Sequence, residues 1–464
     1  MWNPDITKQN GARYMAIADR IAEDIEHGEL RPGEQMPTHR ELALRLGVTV
    51  GTITRAYAEA QRRGLLVGET GRGTYVREDL FADAFPPNIA AQDDSLIDLS
   101  LNLPPVAAGD PLGQALSSTL MNLSSRPNLS NLLGYHTPIG AERHRAAGAA
   151  WISSRSGMEA EAGRVLITSG ALHAMTVVFS TLTKPGDTVF TERLTYPGMK
   201  NLAHLLHLRL QGLDTDEHGI IPEAFERACR SGAVRVLYTI PTIHNPLGMV
   251  MPEERRREIA RIAEEHDISI VEDDVHSFML ERPPLPLSHF APERSYYILT
   301  TSKSIAGGMR IGYLLAPERM VERLATSLRS TVWMAAPLMA EIAAEWIKDG
   351  TAERLIEQKR REAEARQEMA RRIFHGLRFH AHPLSFHLWL ELPEPWRSDE
   401  FIAQARRRGV LVTPPEAFVP AREEAPHAVR VCLGGVRTRQ QLEQGLKIVR
   451  ELSRSAPKPT LSII

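Results

Sequence analysis

Residues 297–313 read YILTTSKSIAGGMRIGY, and this stretch decides the fold that the sequence predicts. A run of apolar and β-forming residues ends in hydroxyl side chains, and a single lysine, Lys303, follows at once. Gly307 and Gly308 then favour a turn before Arg310 and a second apolar run. An amine beside hydroxyl groups and a guanidinium suits a small molecule that carries both an aldehyde and a phosphate.

The bulk composition limits the classes to which the protein can belong. Its 464 residues predict at least two folded units, and 43% hydrophobic with 24% charged residues is typical of soluble globular proteins. No apolar run approaches the roughly 18 residues that span a bilayer. The first ten residues, MWNPDITKQN, lack the apolar core of a signal peptide. We therefore expect a cytoplasmic protein with no membrane partner.

Cysteine and histidine usage argues against disulfide and metal chemistry. The two cysteines, Cys229 and Cys432, are more typical of small core residues than of a disulfide framework. Seventeen histidines are present, but no cluster of histidine and cysteine has the spacing of a zinc site. We expect no structural metal.

The amino-terminal region has the element order of a winged helix. Apolar residues recur at helical spacing over 12–28. Thr38 and Glu41 form a capping box that opens a second, short helix, and Thr49 caps a third. Two short β-type runs over 65–76 then predict a hairpin. Helix, helix-turn-helix and hairpin follow one another in the order typical of DNA-binding winged helices.

The charge of this region is positive although the whole chain has a formal charge of −2. Residues 31–77 contain eight arginines and four glutamates. A local basic face is the electrostatic footprint of a DNA-binding surface. The alternative is a solvated helical bundle with ordinary surface arginines. The turn pattern and the Gly-x-Gly wing argue against this alternative.

A second, larger region follows a stretch over 77–94 in which the periodicity lapses. Apolar runs alternate there with amphipathic stretches, which predicts an α/β fold with a mainly parallel sheet covered on both faces. The predicted strands are 164–168, 187–192, 208–213, 234–241, 268–272, 296–300 and 310–316. We therefore divide the chain into a winged helix (1–77), a linker (78–96), a large three-layer α/β domain (97–456) and a tail (457–464).

Several chemically capable residues follow predicted strands, where ligands gather in such folds. TSGAL at 168–172 opens a helix whose free amides suit an anion. Tyr196 offers an aromatic face, Asn245 an amide, and Asp273 a carboxylate for a protonated ring nitrogen. Arg430, which lies within a late strand (AVRVC), could bind a carboxylate with two hydrogen bonds. Each of these alone has a structural alternative: a strand-to-helix turn, a packing residue, a helix cap or a surface arginine.

The amino-terminal region resembles the winged helix-turn-helix of the GntR superfamily. Residues 37–49 fit the pattern P-[ST]-x-R-x-L-A-x-x-L-G-V-[ST], and 71–76 fit the wing G-x-G-T-x-V. The resemblance implies a double-stranded DNA operator as partner, contacted by Arg40, Thr49, Val50, Gly51, Thr52, Thr54, Gly71 and Arg72. Many relatives carry arginine where this chain has Val50 and Thr54, so its base reading would depend more on methyl, hydroxyl and shape contacts.

The large region resembles fold type I enzymes that depend on pyridoxal 5′-phosphate (PLP), the aspartate aminotransferase family. The resemblance implies that Lys303 forms the Schiff base with PLP, Asp273 pairs with the pyridine nitrogen and Tyr196 stacks on the ring. Arg430 would bind the carboxylate of an amino acid. It further implies an Asn245 contact with the O3′ oxygen, and a phosphate site made of Thr300, Ser302, Arg310 and the amides of Ala171 and Leu172.

Two further residues complete this comparison and one of them is a departure. Tyr135, in GYHTPIG, resembles a tyrosine that reaches the phosphate of the partner subunit, which implies a homodimer. Relatives usually carry a tyrosine two or three positions beyond the aspartate, where this chain has Val275 and His276. His276 could substitute for that phenol. Leu172 replaces a common glutamine, at little cost if only its amide binds phosphate.

A GntR-type winged helix joined to an aminotransferase-like domain resembles the MocR family of transcriptional regulators. That resemblance implies a PLP-dependent, dimeric regulator that senses either PLP or an amine or amino-acid effector. The alternative is a catalytically active aminotransferase with an attached DNA-binding domain. A third reading, an empty dimerisation scaffold, fits poorly with so many site residues.

Overall fold

The structure is a computed structural model. It describes all residues except 1, 3, 5–11, 27–28, 32, 64, 70–72, 77–95, 107–108, 231, 233, 421–424 and 457–464, with the backbone alone at 26, 62 and 69. The predicted tail, and the predicted linker apart from Leu96, therefore lie outside the described residues. Two compact units are present: Met1–Asp93 with Arg422–Pro426, and Asp94–Ala421 with His427–Ile464. We call them the amino-terminal unit and the large unit.

The amino-terminal unit has the predicted element order. Thr38 accepts a hydrogen bond from the Glu41 amide and the Glu41 carboxylate accepts one from the Thr38 amide, so the capping box is present. The buried Tyr57 donates to the Pro37 carbonyl at 2.7 Å, which fixes the entry of the second helix against the third. The elements are α1 (Arg13–Glu26), α2 (His39–Leu46), α3 (Val50–Arg62), β1 (Leu66–Glu69) and β2 (Gly73–Val76).

The large unit alternates strands and helices along the chain. Its strands are β3 (Ile97–Asp98), β4 (Val165–Thr168), β5 (Thr188–Glu192), β6 (Arg209–Leu213), β7 (Thr215–Asp216), β8 (Gly219–Ile220), β9 (Val234–Thr239), β10 (Ser269–Asp273), β11 (Ser295–Thr300), β12 (Gly312–Leu315), β13 (Phe379–His380), β14 (His387–Glu391), β15 (Val410–Leu411) and β16 (Ala428–Cys432). Its helices are α4 (Pro111–Ser124), α5 (Glu142–Ser156), α6 (Ala171–Leu182), α7 (Pro197–Leu205), α8 (Pro222–Cys229), α9 (Glu253–Glu265), α10 (Leu287–Phe290), α11 (Thr301–Ser304), α12 (Val321–Val332), α13 (Pro337–Lys348), α14 (Thr351–Ile373), α15 (Ser398–Arg407) and α16 (Arg439–Arg454).

A seven-stranded sheet with the order β4-β12-β11-β10-β9-β5-β6 forms the centre of the large unit. Only β12 runs antiparallel to its two neighbours, so the predicted mainly parallel sheet is confirmed. Tyr297 and Leu299 of β11 lie in one hydrophobic cluster, whereas Tyr296 and Ile298 lie in another. Successive side chains of a strand point to opposite faces, so both faces of the sheet are covered.

The seventh predicted strand starts later than expected. We expected it over 310–316, but β12 begins at Gly312. Gly307–Met309 form a 3-10 turn, and Arg310 adopts a left-handed conformation with φ of +51°. A left-handed residue cannot continue a strand, so β12 begins only after Arg310.

The large unit also contains a small antiparallel sheet, β13-β14-β16, and the two-stranded sheets β15-β3 and β7-β8. His387 of β14 pairs with Cys432 of β16, and Trp389 pairs with Arg430. Directly paired residues share a face, and so do residues two apart along a strand. His387, Trp389, Arg430 and Cys432 therefore lie on one face.

Candidate cofactor site and nucleic-acid interface

Lys303 lies in the single turn of α11, directly after the central strand β11. The turn forms there because Thr300 Oγ1 accepts a hydrogen bond from the Ser302 amide at 3.2 Å. The Lys303 ammonium donates to the Asn102 main-chain oxygen. Burial is the main cause that lowers the pKa of Lys303 to about 8, and the positive charge of Arg430 is the second cause. A lowered pKa makes the neutral, nucleophilic amine accessible near neutral pH.

Asp273 is the last residue of the neighbouring strand β10, and one of its carboxylate oxygens accepts no hydrogen bond from the described residues. Its Oδ2 accepts from the Tyr238 hydroxyl at 2.8 Å, whereas Oδ1 is buried and has no hydrogen-bond partner among the described atoms. Burial raises the pKa of Asp273 to about 7, against the opposing effect of the Tyr238 hydrogen bond. An unsatisfied buried carboxylate oxygen is costly, so it indicates a place for a donor supplied by a ligand.

An anion cradle lies between β4 and α6. Gly170 has φ of +91°, and the first amides of α6, those of Ala171 and Leu172, have no intrahelical acceptor. Arg310 donates from Nη2 to the Ser169 carbonyl at 3.1 Å and from Nη1 to the Ser302 hydroxyl oxygen at 3.3 Å. The positive φ favours glycine here, and a Cβ added at Gly170 would lie 2.7 Å from Arg310 Nη2 and would displace that side chain.

Thr300 is held differently from the other predicted phosphate ligands. Its hydroxyl donates to the Ile311 main-chain oxygen at 2.9 Å. A contact from the Thr300 hydroxyl to phosphate therefore requires that bond to be exchanged. Ser302 instead accepts from Arg310 and keeps a hydroxyl proton to donate.

Arg430 and Asn245 form a buried pair across the site. Arg430 donates from Nη1 to Asn245 Oδ1 at 2.9 Å and from Nη2 to the Ser100 carbonyl at 2.8 Å, while its Nε has no partner in the described part of the chain. Its guanidinium carbon lies 4.9 Å from the centre of the Phe418 ring. Because Oδ1 of Asn245 accepts from Arg430, the Asn245 amide group is left to donate.

Two buried histidines flank this pair. His387 contacts the His244 carbonyl through Nε2 at 3.1 Å, so Nε2 carries the proton, and its buried Nδ1 is an acceptor without a described partner. Neither ring nitrogen of His276 has a described partner. Burial lowers the pKa of His276 to about 3 and that of His387 well below its usual value, so both rings are neutral at pH 7.

The two tyrosines predicted from the sequence lie in different places. Tyr196 precedes α7 beside the site: burial, and then the charge of Asp273, raise its pKa to about 12. Tyr135 is 84% exposed and packs edge-on against Trp333, with ring centres 5.6 Å apart. Tyr135 is thus on the surface of this chain rather than beside Lys303.

Most of the predicted DNA-facing residues of the amino-terminal unit are accessible to solvent. Arg40, Thr49, Val50, Gly51 and Thr54 are exposed, and Thr52 is half-buried. The Thr49 hydroxyl also caps α3, where it accepts from the Thr52 amide at 3.2 Å. The two predicted wing residues, Gly71 and Arg72, lie outside the described residues.

Several residues of both units escaped the sequence analysis. Arg55 is exposed on the face of α3 that carries Gly51 and Thr54, and His39 contacts the Thr54 hydroxyl through Nδ1 at 3.3 Å. Helical periodicity could have indicated Arg55. Asn102 could not have been found this way, because it reaches the site from a distant part of the chain. His173 directly follows Ala171 and Leu172, but the sequence does not show what its ring contacts.

None of the described helices is long and apolar enough to cross a membrane. No group of three potential metal ligands occurs within the described ranges.

The geometry defines an aminotransferase-like α/β unit preceded by a winged helix-turn-helix. Comparisons with known proteins agree for both units. Residues 94–449 match the family "Aminotransferase class I and II", and residues 13–76 match "Bacterial regulatory proteins, gntR family". The chain therefore belongs to the class I and II aminotransferase family, a PLP-dependent fold family, and its two-part organisation makes it a transcriptional regulator of the MocR family.

Individual relatives match this chain over most of its length. The uncharacterized HTH-type transcriptional regulator YdeF of Bacillus subtilis is 32% identical over 97% of this chain and 96% of its own length. The HTH-type pyridoxine biosynthesis transcriptional regulator PdxR of Corynebacterium glutamicum is 26% identical over 74% of this chain and 75% of its own. Among solved structures, an archaeal alanine:glyoxylate aminotransferase superposes with a TM-score of 0.70 at 24% identity, covering 77% of this chain and 90% of that chain. That likeness concerns the fold alone.

Proposed function

We propose that this regulator binds PLP through Lys303 and that PLP, or an amine or amino acid that reacts at this site, controls its binding to operator DNA. The unpartnered Oδ1 of Asp273 is the observation that carries the proposal. A buried carboxylate at the end of a central strand, with only one of its oxygens hydrogen-bonded, suits the protonated ring nitrogen of PLP. The PLP-dependent family and the pyridoxine-related name of one relative support the same choice.

The residues present fit the three polar ends of PLP. The Lys303 amine suits its aldehyde, and the cradle of Arg310, Ser302 and the α6 amides suits its phosphate. Asn245, with His276 in place of the usual phenol, would meet its phenolic oxygen. Bound PLP would supply an electrophilic carbon for amines and a ring that withdraws electrons.

The side chains around this place have separate tasks. Asp273 would hold a proton at the ring nitrogen of PLP, and Tyr196 would lie against the ring. Arg430 binds a carboxylate, which favours amino acids over simple amines as effectors. An effector regulates only if it binds two states of the protein with different affinity.

A homodimer is part of the proposal. Leu133, Tyr135 and Trp333 are 82%, 84% and 49% exposed, and such an apolar surface suits a second copy of this chain. We place the winged helix at 1–77, the linker at 78–96, the large domain at 97–456 and a tail at 457–464. Two winged helices in one dimer would bind two half-sites of an operator.

A spectroscopic titration of the full-length protein with PLP tests the proposal. We expect a visible absorbance band for the wild type and none for Lys303→Ala. Lys200→Ala is the matched control, because Lys200 is also held away from water, which lowers its pKa to about 8, yet its amine donates to the Glu416 carbonyl at 2.7 Å. Borohydride reduction followed by peptide mapping should locate the cofactor on Lys303.

Adding amino acids and amines to the loaded protein then identifies the signal. A saturable spectral shift with one compound names an effector, and a spectrum that none of them changes indicates PLP itself. An unchanged spectrum in Lys303→Ala would contradict the proposal. Sustained turnover of an amino acid and keto acid pair would favour the catalytic alternative.

A further inference from the structure

His173 lies in the first turn of α6, and its ring joins two parts of the large unit. The Ser169 amide donates to His173 Nδ1 at 3.0 Å, and Nε2 lies 2.7 Å from Thr331 Oγ1. An amide can only donate, so Nδ1 is the acceptor and Nε2 carries the proton that Thr331 accepts. Burial lowers the pKa of His173, in agreement with a neutral ring.

This ring also clamps Ser169, the residue that opens the anion cradle. The carbonyl of Ser169 accepts from Arg310 Nη2 at 3.1 Å, while its amide is held by His173. Gly170 follows with φ of +91°, and the free amides of α6 come directly after it. The orientation of those amides therefore depends on the clamp, although His173 itself is not aimed at the anion.

At its other end the link reaches a strained turn. Trp333 follows α12 with φ of +67° and ψ of −56°, and the Met334 amide donates to the Val332 carbonyl at 2.8 Å. This is a γ-turn with positive φ, a rare and strained conformation for a residue other than glycine. Such strain persists only where neighbouring contacts hold it, and strained residues cluster at switch regions.

The strained turn carries the exposed aromatic pair. Tyr135 packs edge-on against Trp333, and the His136 amide donates to the Met334 sulfur at 3.1 Å. A continuous series of contacts thus runs from the cradle through His173 and Thr331 to this surface.

We propose that His173 is a positioning residue that couples occupancy of the anion cradle, through Thr331, to the turn at Trp333. The inference rests on the proposed function, since a phosphate group is what the cradle would hold. An anion that engages Arg310 and the α6 amides changes the balance of contacts on the backbone of Ser169. His173 passes that change to Thr331, so the filled and empty forms present different Tyr135–Trp333 surfaces to a second copy of the chain.

Inorganic phosphate is the probe, because it fills the cradle without adding a chromophore. Trp333 is the natural reporter: it is half-exposed, whereas the other five tryptophans are buried, namely Trp2, Trp151, Trp346, Trp389 and Trp396. Phosphate affinity is measured by calorimetry on the full chain. The emission of Trp333 is taken as the difference between each protein and its Trp333→Phe counterpart.

Four variants separate coupling from simple structural damage. His173→Phe leaves the Ser169 amide without an acceptor, so phosphate should bind about tenfold more weakly and the Trp333 response should vanish even at saturation. His173→Gln offers one acceptor and one donor and should restore both. Thr331→Val should retain most of the affinity but lose the response. Thr326→Val, on the exposed part of α12, should behave as wild type.

The outcomes distinguish this inference from the proposed function. A wild-type protein that binds no phosphate would contradict the proposed function and the coupling together. Phosphate binding in His173→Phe equal to wild type would overturn the coupling alone. So would a Trp333 response that persists in Thr331→Val at saturating phosphate.

Discussion

Tyr238 donates its hydroxyl proton to Oδ2 of Asp273 at 2.8 Å, and it leaves Oδ1 of the same buried carboxylate without a partner in the described part of the chain. The two residues come from neighbouring parallel strands, β9 and β10. Tyr238 thus orients a carboxylate that only one further donor would complete. This arrangement sacrifices stability of the empty protein for the binding of a cation at one defined place.

Replacing Asp273 with asparagine should therefore stabilise the empty protein. The folded-state pKa of about 7 lies above the unfolded value, so wild-type stability falls as pH rises from about 4 to 7. At pH 8 the free energy of unfolding of the asparagine variant should exceed that of the wild type by on the order of 2–4 kcal/mol. An unpaired amide hydrogen of the asparagine reduces this gain. Thermal unfolding without PLP measures this gain. With PLP, only the wild type should be stabilised; equal stabilisation of both would contradict the role of Asp273.

Arg430 should select effectors that carry a carboxylate. Its buried Nη1 and Nη2 already bond to Asn245 and the Ser100 carbonyl, which orient the guanidinium. Arg430→Gln should weaken the spectral response to an amino acid by about 10- to 100-fold, because charged hydrogen bonds are lost. The response to the amine that lacks the carboxylate should change little. A similar loss for both compounds would assign Arg430 a structural role only.

Substitution of Gly51 should affect DNA binding and the stability of the amino-terminal unit in opposite directions. A Cβ at this exposed position of α3 would find its nearest neighbour, Thr49 Oγ1, at 3.8 Å, so the fold does not require glycine. Gly51→Ala should raise the free energy of unfolding by about 0.5–1 kcal/mol. If DNA approaches the backbone here, operator affinity should nevertheless fall. If Gly51→Ala binds the operator as tightly as the wild type in a gel-shift assay, Gly51 is not part of the DNA interface.

The buried histidines should make the protein sensitive to acid. His387 stays neutral when folded but takes up a proton when unfolded, so stability is retained above pH 6.5 and is lost as pH falls. Below pH 6.5 the free energy of unfolding of His387→Phe should rise relative to that of the wild type by up to about 1.4 kcal/mol per pH unit. Denaturant unfolding at pH 7.5, 6.5 and 5.5 measures this. His380→Phe is the control: His380 is exposed and pairs with Glu391 at 2.8 Å, so this gain should be absent.

The local pattern of the chain predicted the large sheet closely. Every strand of that sheet was expected within two residues of its observed bounds, because a buried parallel strand is an apolar run that ends in turn residues. The late start of β12 was missed, since nothing in the sequence shows that Arg310 is left-handed.

Contacts between distant residues set the limit of sequence analysis. Arg430 and Asn245 are 185 residues apart, and His173 and Thr331 are 158 apart. Neither pair shares a helix or a strand, so no periodicity joins them. Residue type and a place in or directly after a strand indicated Arg430 and Asn245 as candidates, but only the fold shows that they touch. His173 has no comparable signal and became visible only through its contacts.

The affinity of the full-length protein for its operator, with and without ligand, tests the central claim most directly. A DNA sequence selected from a random pool by the wild-type protein would serve as operator. We expect its affinity to change when PLP, or the effector found by the spectral titration, is added, and to be unresponsive in Lys303→Ala. Operator affinity that is the same with and without these ligands would contradict a regulator controlled through this site.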